Sequence, residues 1–451
     1  MQKALAIIRN HSGKKIAVLS ACSGVTNLLH NIVSNLSAAT SAYREGNLVV
    51  AEEQYVSAKN ILDEIIVLHR EIIKELLPKN SSLPIFEFYL RKIRQRILGS
   101  ALLRRLTEKN ARAIVSMGEY LSTAIFTEYC RSNNENVQWL DTYSILTKTV
   151  TDTGFSDSAI DIIAKELRKS DTLVLQGYIR KGLDGELDNF GRGGSDYSAA
   201  LLGKLIGAAK IEIYTDVDGV YSADPRKVPD AKIISNIEPR IMGMMASFGA
   251  KVMHPDSLRP AIEANIPVYI KNTFSNSPGT VVRSNEVINQ TTTSIPSITY
   301  TDDITKFIVV KPSTAISALS SFDFNDRFLY TASNQFIETI YVRSEHENDL
   351  IDILADKGLD FQKDSVTVVL ITSLGRRLSF YSLDNKDSYN MIEQSNNLSF
   401  SIFRDNLLFC VGYMGKGSYL FESSRALSEE EIAEIHDIII ESKQTIQLEN
   451  V

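Results

Sequence analysis

The sequence predicts an α/β protein: a three-layer sandwich around a mostly parallel sheet, continued by smaller α+β modules. Three observations predict it. Short apolar runs alternate with longer helical patterns up to about residue 290, as strand–helix–strand units require. Small-residue and glycine-rich segments, at 21–27 and 189–198, sit where a strand hands over to a helix, the place where open α/β sheets bind ligands. Beyond an Asn-, Thr- and Ser-rich stretch at 285–300, strands dominate and helices are few. The expected domains are therefore 1–290, 301–375 and 376–451, the last two side by side or one nested in the other.

With 451 residues the chain is too long for one core. Its 44% hydrophobic and 23% charged residues are those of an ordinary globular protein. The net charge of −7 is spread over mixed signs without a basic block, which argues against a nucleic-acid partner. Anions must then be held by local cations, not by the overall field. Cys22, Cys130 and Cys410 show neither metal spacing nor an even-numbered disulfide framework, which points to a reducing compartment. No apolar run approaches the ~18 residues of a membrane span, and no secretory segment opens the chain. The expected location is the cytoplasm, with no membrane partner.

Taken in order, residues 2–10 read as a helix and 15–20 as an apolar strand. The loop 21–27 follows, and Leu28 opens the next helix. This loop is either a ligand-binding turn or a plain helix start capped by Thr26 or Asn27. Residues 28–131 read as almost entirely helical. Ile61, Ile65, Leu68, Ile72 and Leu76 trace one helix face; Pro78 stops that helix and Pro84 marks the next start. The basic cluster Arg91, Lys92, Arg94, Arg96, Arg104 and Arg105 reads as a solvated helix face. Gly118 lies inside a later helix, where glycine costs ~1 kcal/mol relative to alanine, so close packing or a ligand against the backbone is expected. Glu119 beside it is either an acceptor for an ammonium group or a plain solvated carboxylate.

Residues 137–140 form the next expected strand, 158–168 a helix, and 172–179 a buried strand. A polar hairpin-like excursion at 181–186 separates that strand from Asn189-Phe190-Gly191-Arg192-Gly193-Gly194-Ser195-Asp196-Tyr197-Ser198. Glycines here let backbone N–H groups approach a phosphate at a helix N-terminus, although a tight turn explains a glycine pair equally well. Arg192 adds a fork that grips a carboxylate by two hydrogen bonds. Asp196, itself an anion, is suited to orienting a cation. Residues 210–214 form another strand, followed by Thr215, Asp216, Tyr221 and Arg226 in a polar loop. That loop is either a nucleotide contact or an Asx-rich turn. Lys251, in 248–255, either reaches inward or lies on the surface. Residues 266–271 and 280 onward end this region. Strands are then expected at 306–310, 336–342, 366–372, 398–403 and 407–412, with helices at 349–357 and 428–442.

Five segments in this order resemble the aspartokinases of the amino-acid kinase family. They are 18–27, Gly118-Glu119-Tyr120-Leu121-Ser122-Thr123, Gly191-Arg192-Gly193-Gly194-Ser195-Asp196-Tyr197, 215–226 and 248–255. The resemblance implies the amino-acid kinase fold, followed by ferredoxin-like ACT domains that pair in a homodimer. It implies phosphorylation of the L-aspartate side chain by ATP with Mg2+, the first step toward lysine, threonine and methionine. Arg192 would hold the substrate α-carboxylate and Glu119 its ammonium, with Thr26, Tyr178 and Ser195 lining the pocket. Gly193, Gly194, Thr215, Asp216, Tyr221, Arg226 and Lys251 would hold the nucleotide, and Asp196 would organise the catalytic cations.

Aspartokinases also open with a strand and a Lys-Phe-Gly-Gly-Thr-Ser motif, and no Lys-Phe-Gly-Gly occurs in this chain. Either the sequence starts late or the protein is a degenerate paralogue; the other intact motifs favour the first. Without that lysine the chain is expected to turn over little substrate. The competing readings are an amino-acid-binding regulatory subunit and a kinase acting on glutamate or acetylglutamate. Residues 312–324 lack helical periodicity, so feedback by lysine or threonine is not expected.

Overall fold

Five buried residues, Thr172–Gln176, form the centre of a parallel sheet, flanked by Lys15–Leu19 on one side and Val137–Trp139 on the other. The computed structural model describes residues 1–149, 153–191, 193–250, 253, 255–283, 295–310, 328–333, 337–372, 380–381, 388–389, 401–402, 408–415, 418–423 and 425–448. It divides into two compact units, residues 1–213 with 256–267, and residues 214–255 with 268–451.

In the first unit the strand pleat sends alternate residues to opposite faces. Val174 packs with Leu5, Ile8, Phe126 and Cys130, from the helices Gln2–Asn10 and Met117–Ser132. Leu173 and Leu175 pack with Ile163, Leu201 and Leu202, from the helices Ala159–Lys169 and Gly194–Ile206. Both faces are thus covered, as a parallel sheet requires. The long helical region resolves into Val25–Arg44, Leu48–Leu76, Pro84–Leu102, Glu108–Val115 and Met117–Ser132. Leu29, Ile32, Ile65, Phe86, Ile93 and Leu121 form its core. Local chemistry sets the helix starts: Asn47 and Thr107 accept from Val50 N–H and Asn110 N–H, and Pro84 takes the first position.

Three boundaries differ from expectation for one reason, a positive φ. The strand expected at 172–179 stops at Gln176 because Tyr178 adopts φ 69°, and the chain restarts as the hairpin Ile179–Lys181 with Leu187–Asn189. The helix expected from Tyr197 begins at Gly194, after Gly193 at φ 69°. The helix expected from Leu28 begins at Val25, after Gly24 at φ 79°. Thr26 therefore lies inside the first turn, and no side chain caps this helix.

In the second unit Val268–Asn272 pairs antiparallel with Thr280–Val282, which pairs parallel with Asn236–Ile237. A seven-stranded antiparallel sheet follows. Its order is Phe328–Ser333, Ile337–Arg343, Ser297–Val310, Phe361–Thr372, Ser418–Ser423, Leu408–Gly415, Ser401–Ile402. Leu350 and Leu354 of the helix Glu347–Asp356 cover Phe307, Val309, Ile340 and Val342. Ile432, Ile435 and Ile439 of the helix Glu429–Leu448 cover Ile298, Val369, Ile371 and Phe421. The overall class is thus the expected one: a parallel α/β region followed by ACT-like antiparallel sheet.

The linker expected at 285–300 ends earlier, because Ile298 is drawn into this core and Ser297 starts a 14-residue strand. Residues 284–294, and 312–324 with their missing periodicity, lie outside the described residues. Among the described residues no helix is long and apolar enough to cross a membrane.

Candidate active site

Three glycines without room for a side chain draw four segments together at the carboxyl ends of Lys15–Leu19 and Thr172–Gln176. A Cβ at Gly177 would stand 2.6 Å from the Ser195 Cβ and 2.8 Å from its Cα. One at Gly194 would stand 2.6 Å from the Tyr178 ring, and one at Gly118 would stand 2.7 Å from the Ala21 Cβ. Hydrogen bonds then hold the segments in place. Gly177 N–H donates to Leu19 O at 2.9 Å, Tyr178 N–H to Ser198 Oγ at 3.0 Å, and Ser122 Oγ to Ser20 O at 2.8 Å. The Gly191 and Gly193 backbones both have positive φ, so the glycine turn leads straight into the first turn of Gly194–Ile206. There Ser195 and Asp196 sit among helix-start N–H groups that favour an anion.

Glu119 is 3% exposed, which rules out the solvated carboxylate. Burial pushes its carboxyl up to about 8, against the pull of the Ala21 N–H and its own N–H. Among the described residues its Oε2 has no hydrogen-bond partner. Burial also pushes the Tyr178 phenol up to about 12, and the Glu119 charge adds to that rise. A buried carboxylate oxygen awaiting a donor is the arrangement a cationic ligand completes. Asp196 is pushed up to about 6 by burial alone. The structure therefore brings Glu119, Tyr178, Ser195, Gly193 and Gly194 into one locality, with Thr26 half-buried in the first turn of Val25–Arg44.

The second unit holds Thr215, Asp216, Tyr221 and Arg226. Thr215 Oγ1 donates to Asp216 Oδ1 at 3.0 Å. Asp218 anchors the loop: it accepts from Asn272 Nδ2 at 2.9 Å, from Ser275 Oγ, and from the Tyr221 hydroxyl at 3.4 Å. Those hydrogen bonds hold its carboxyl below the usual range. Arg226 is gripped on two sides by Asp224, Nε at 2.9 Å and Nη2 at 2.6 Å. Arg192 and Lys251 lie outside the described residues. Among the described residues no cluster of three or more His, Cys, Asp or Glu is arranged for a metal.

The amino acid kinase family model matches residues 1–272. The chain belongs to the amino acid kinase family. Lysine-sensitive aspartokinase 3 of Escherichia coli is 32% identical to this amino acid kinase over 298 residues, covering 64% of this chain and 62% of that one. Bifunctional aspartokinase/homoserine dehydrogenase 2, chloroplastic, of Zea mays is 31% identical over 285 residues. That match covers 61% of this chain but 30% of the maize protein, so the chain spans well under half of that relative. The crystal structure of E. coli aspartokinase III in complex with aspartate and ADP shares the fold, at TM-score 0.68 and 19% identity. It covers 98% of this chain and 95% of that one. Clostridium acetobutylicum aspartate kinase matches at TM-score 0.69 and 18% identity, over 97% and 96% of the two chains.

Motif reading left out Gly177, and it included Ser122 and Ser198 in their motifs without giving either a role. Gly177 was the findable one: a glycine directly after a fully apolar strand signals a close backbone approach. The two serines act through hydrogen bonds to distant backbone, which no local pattern announces.

Proposed function

We propose that this chain is an aspartokinase: it transfers the γ-phosphoryl group of ATP to the side-chain carboxylate of L-aspartate, giving 4-phospho-L-aspartate and ADP. This would be the first step toward lysine, threonine and methionine. The observation that carries the reading is the Glu119 oxygen, buried and unpartnered among the described residues, whose charge acts on Tyr178, the residue packed on Gly194 of the glycine turn: a receptor for an α-ammonium group near a receptor for anions. In this reading Arg192 takes the α-carboxylate, and Thr26, Tyr178 and Ser195 line the pocket. Gly193 and Gly194 present backbone to phosphate, and Thr215, Asp216, Tyr221, Arg226 and Lys251 hold the nucleotide. The reading includes a homodimer formed through the ACT-like modules and a cytoplasmic location.

The chemistry needs little from the side chains beyond placement. A carboxylate is already ionised at neutral pH, so no general base is required. One carboxylate oxygen bonds to the γ-phosphorus, the bridging P–O bond breaks, and ADP leaves with the electron pair. What opposes the step is bringing two anions together, and positioning with charge neutralisation answers it. Mg2+ supplies part of that neutralisation when bound. It needs only one or two protein carboxylates besides phosphate oxygens, and Asp196, the one acidic residue in the first turn of Gly194–Ile206, fits that requirement.

Trapping the acyl phosphate with hydroxylamine tests the reading. With ATP, Mg2+ and L-aspartate, hydroxamate is expected once the chain carries a Lys-Phe-Gly-Gly-Thr-Ser segment ahead of residue 1, and Arg192→Ala in that protein raises the aspartate KM at least ~100-fold, as loss of a bidentate charged contact would. An unchanged KM refutes the carboxylate assignment. Binding of both ligands without product favours the regulatory-subunit reading instead. A second test concerns Arg226, which must leave Asp224 to reach a phosphate. Asp224→Ala is expected to tighten ADP binding about two- to fivefold at low salt, an advantage that fades as salt screens the exposed guanidinium. A weaker or salt-independent affinity in that variant counts against a phosphate role for Arg226.

A further inference from the structure

Behind the loop assigned to the nucleotide stands a buried histidine that the reaction does not use. His436, 2% exposed, lies on the helix Glu429–Leu448, and its Nε2 is 2.9 Å from Ser222 Oγ, 214 residues away in sequence. Ser222 follows Tyr221 directly and precedes Arg226 by four positions. Its hydroxyl already accepts from Lys232 N–H at 2.8 Å, so its own proton is free to go to His436 Nε2. That assigns the single proton of the neutral imidazole to Nδ1, which faces Asp437 Oδ1 at 3.4 Å. Both backbone groups of Ser222 are committed as well, N–H to Lys232 O at 2.8 Å and C=O to Ile298 N–H at 2.7 Å.

The neighbours continue the same connection. Ala223 and Val228 are buried in one cluster with Ile298, Val369, Ile371, Phe421, Ile432, Ile435 and Ile439. Lys227 lies over the Tyr300 ring at 4.6 Å. The face of the loop opposite Tyr221 and Arg226 is therefore built on the antiparallel sheet and its last helix.

We propose that His436 is a positioning residue for nucleotide binding, fixing through Ser222 the backbone that carries Tyr221 and Arg226. The proposal rests on the nucleotide reading of this loop and adds that its affinity is set from the C-terminal helix. A hydroxyl locked by its partners leaves the flanking residues one backbone path. Removing the imidazole leaves the Ser222 proton buried without an acceptor and lets the loop rearrange.

Titration of the full chain with a fluorescent ADP analogue and Mg2+ tests this, beside aspartate binding and melting temperature. His436→Ala and Ser222→Ala should each weaken ADP about tenfold, the upper range of one hydrogen bond, with aspartate affinity unchanged. The double variant should lose no more than either single one, since both break the same link. His436→Gln, which returns an acceptor near the Nε2 position, should recover affinity to within about twofold. Equal losses for ADP and aspartate would mean general damage and overturn the proposal, as would unchanged ADP affinity in Ser222→Ala. Failure of the unaltered chain to bind ADP at all would overturn the nucleotide reading, and this inference with it.

Discussion

Replacing Glu119 by glutamine is expected to weaken L-aspartate binding about a hundredfold or more, while making the ligand-free chain more stable at alkaline pH. The two effects have one origin. Burial raises the Glu119 carboxyl from its ordinary 4.5 to about 8. Its folded state therefore prefers the proton. The sign follows from linkage: the stability this preference contributes is fully present below about pH 4.5 and is lost as pH rises through about 8. Glutamine has nothing to ionise, so the melting temperature of the unaltered chain should fall relative to Glu119→Gln across that window. At alkaline pH the gap should reach a few kcal/mol, since each tenfold preference for the proton is worth about 1.4 kcal/mol.

Ligand binding reverses the preference. An α-ammonium group beside the unpartnered Oε2 favours the carboxylate. A carboxyl that titrates near 8 is still mostly protonated in neutral solution, so aspartate should expel nearly one proton on binding there. Calorimetry in two buffers of different ionisation enthalpy reads that proton, and Glu119→Gln should release none. Equal aspartate affinity in the two proteins, with no buffer dependence in either, would remove Glu119 from the site.

Gly177→Ala should damage the site through backbone alone. The added methyl would lie 2.6 Å from the Ser195 Cβ and 2.8 Å from its Cα, and a helix Cα cannot rotate away as a long side chain can. Either the start of Gly194–Ile206 or the end of Thr172–Gln176 must shift. Overpacking of this kind costs about 1–3 kcal/mol, and a displacement of ~1 Å at positioning groups costs ~10²-fold in rate. A control separates close approach from glycine chemistry in general. Gly99, inside Pro84–Leu102, has nothing within 4 Å of an added Cβ. Gly99→Ala should therefore stabilise by about 0.5–1 kcal/mol through helix propensity, with unchanged ligand binding. Urea midpoints and aspartate affinity measured on both variants check the contrast. Wild-type affinity in Gly177→Ala would show that the contact is not needed for the site.

Much of this was legible locally. The apolar run at 172–179 and the glycines after it announced a covered parallel strand feeding a helix start, and the helix boundaries near 76 and 84 followed from proline. The errors fell where backbone conformation, not side-chain pattern, decided the boundary. Tyr178 at φ 69° ends a strand that hydrophobicity would have continued through Ile179, and a non-glycine residue in that region is held there by its surroundings. The first four residues of the strand Ser297–Val310 lay inside a stretch whose Asn, Thr and Ser content reads as linker. Its Ile298 becomes core only because Phe421 and the helix Glu429–Leu448 arrive from far along the chain.

By itself the sequence determined the fold class, the alternation of strands and helices that feeds the glycine turn at 191–194, and the place of Glu119 next to a helical glycine, with its role left open. Periodicity and backbone preference act over a few residues, so they are written locally. Only the tertiary structure decided that Glu119 is buried with one oxygen unpartnered among the described residues, that Gly177 touches Ser195, and that Ser222 is bonded to His436. Those facts depend on what distant segments exclude or supply. Desolvation and long-range hydrogen bonding belong to the packed molecule and not to any stretch of its chain.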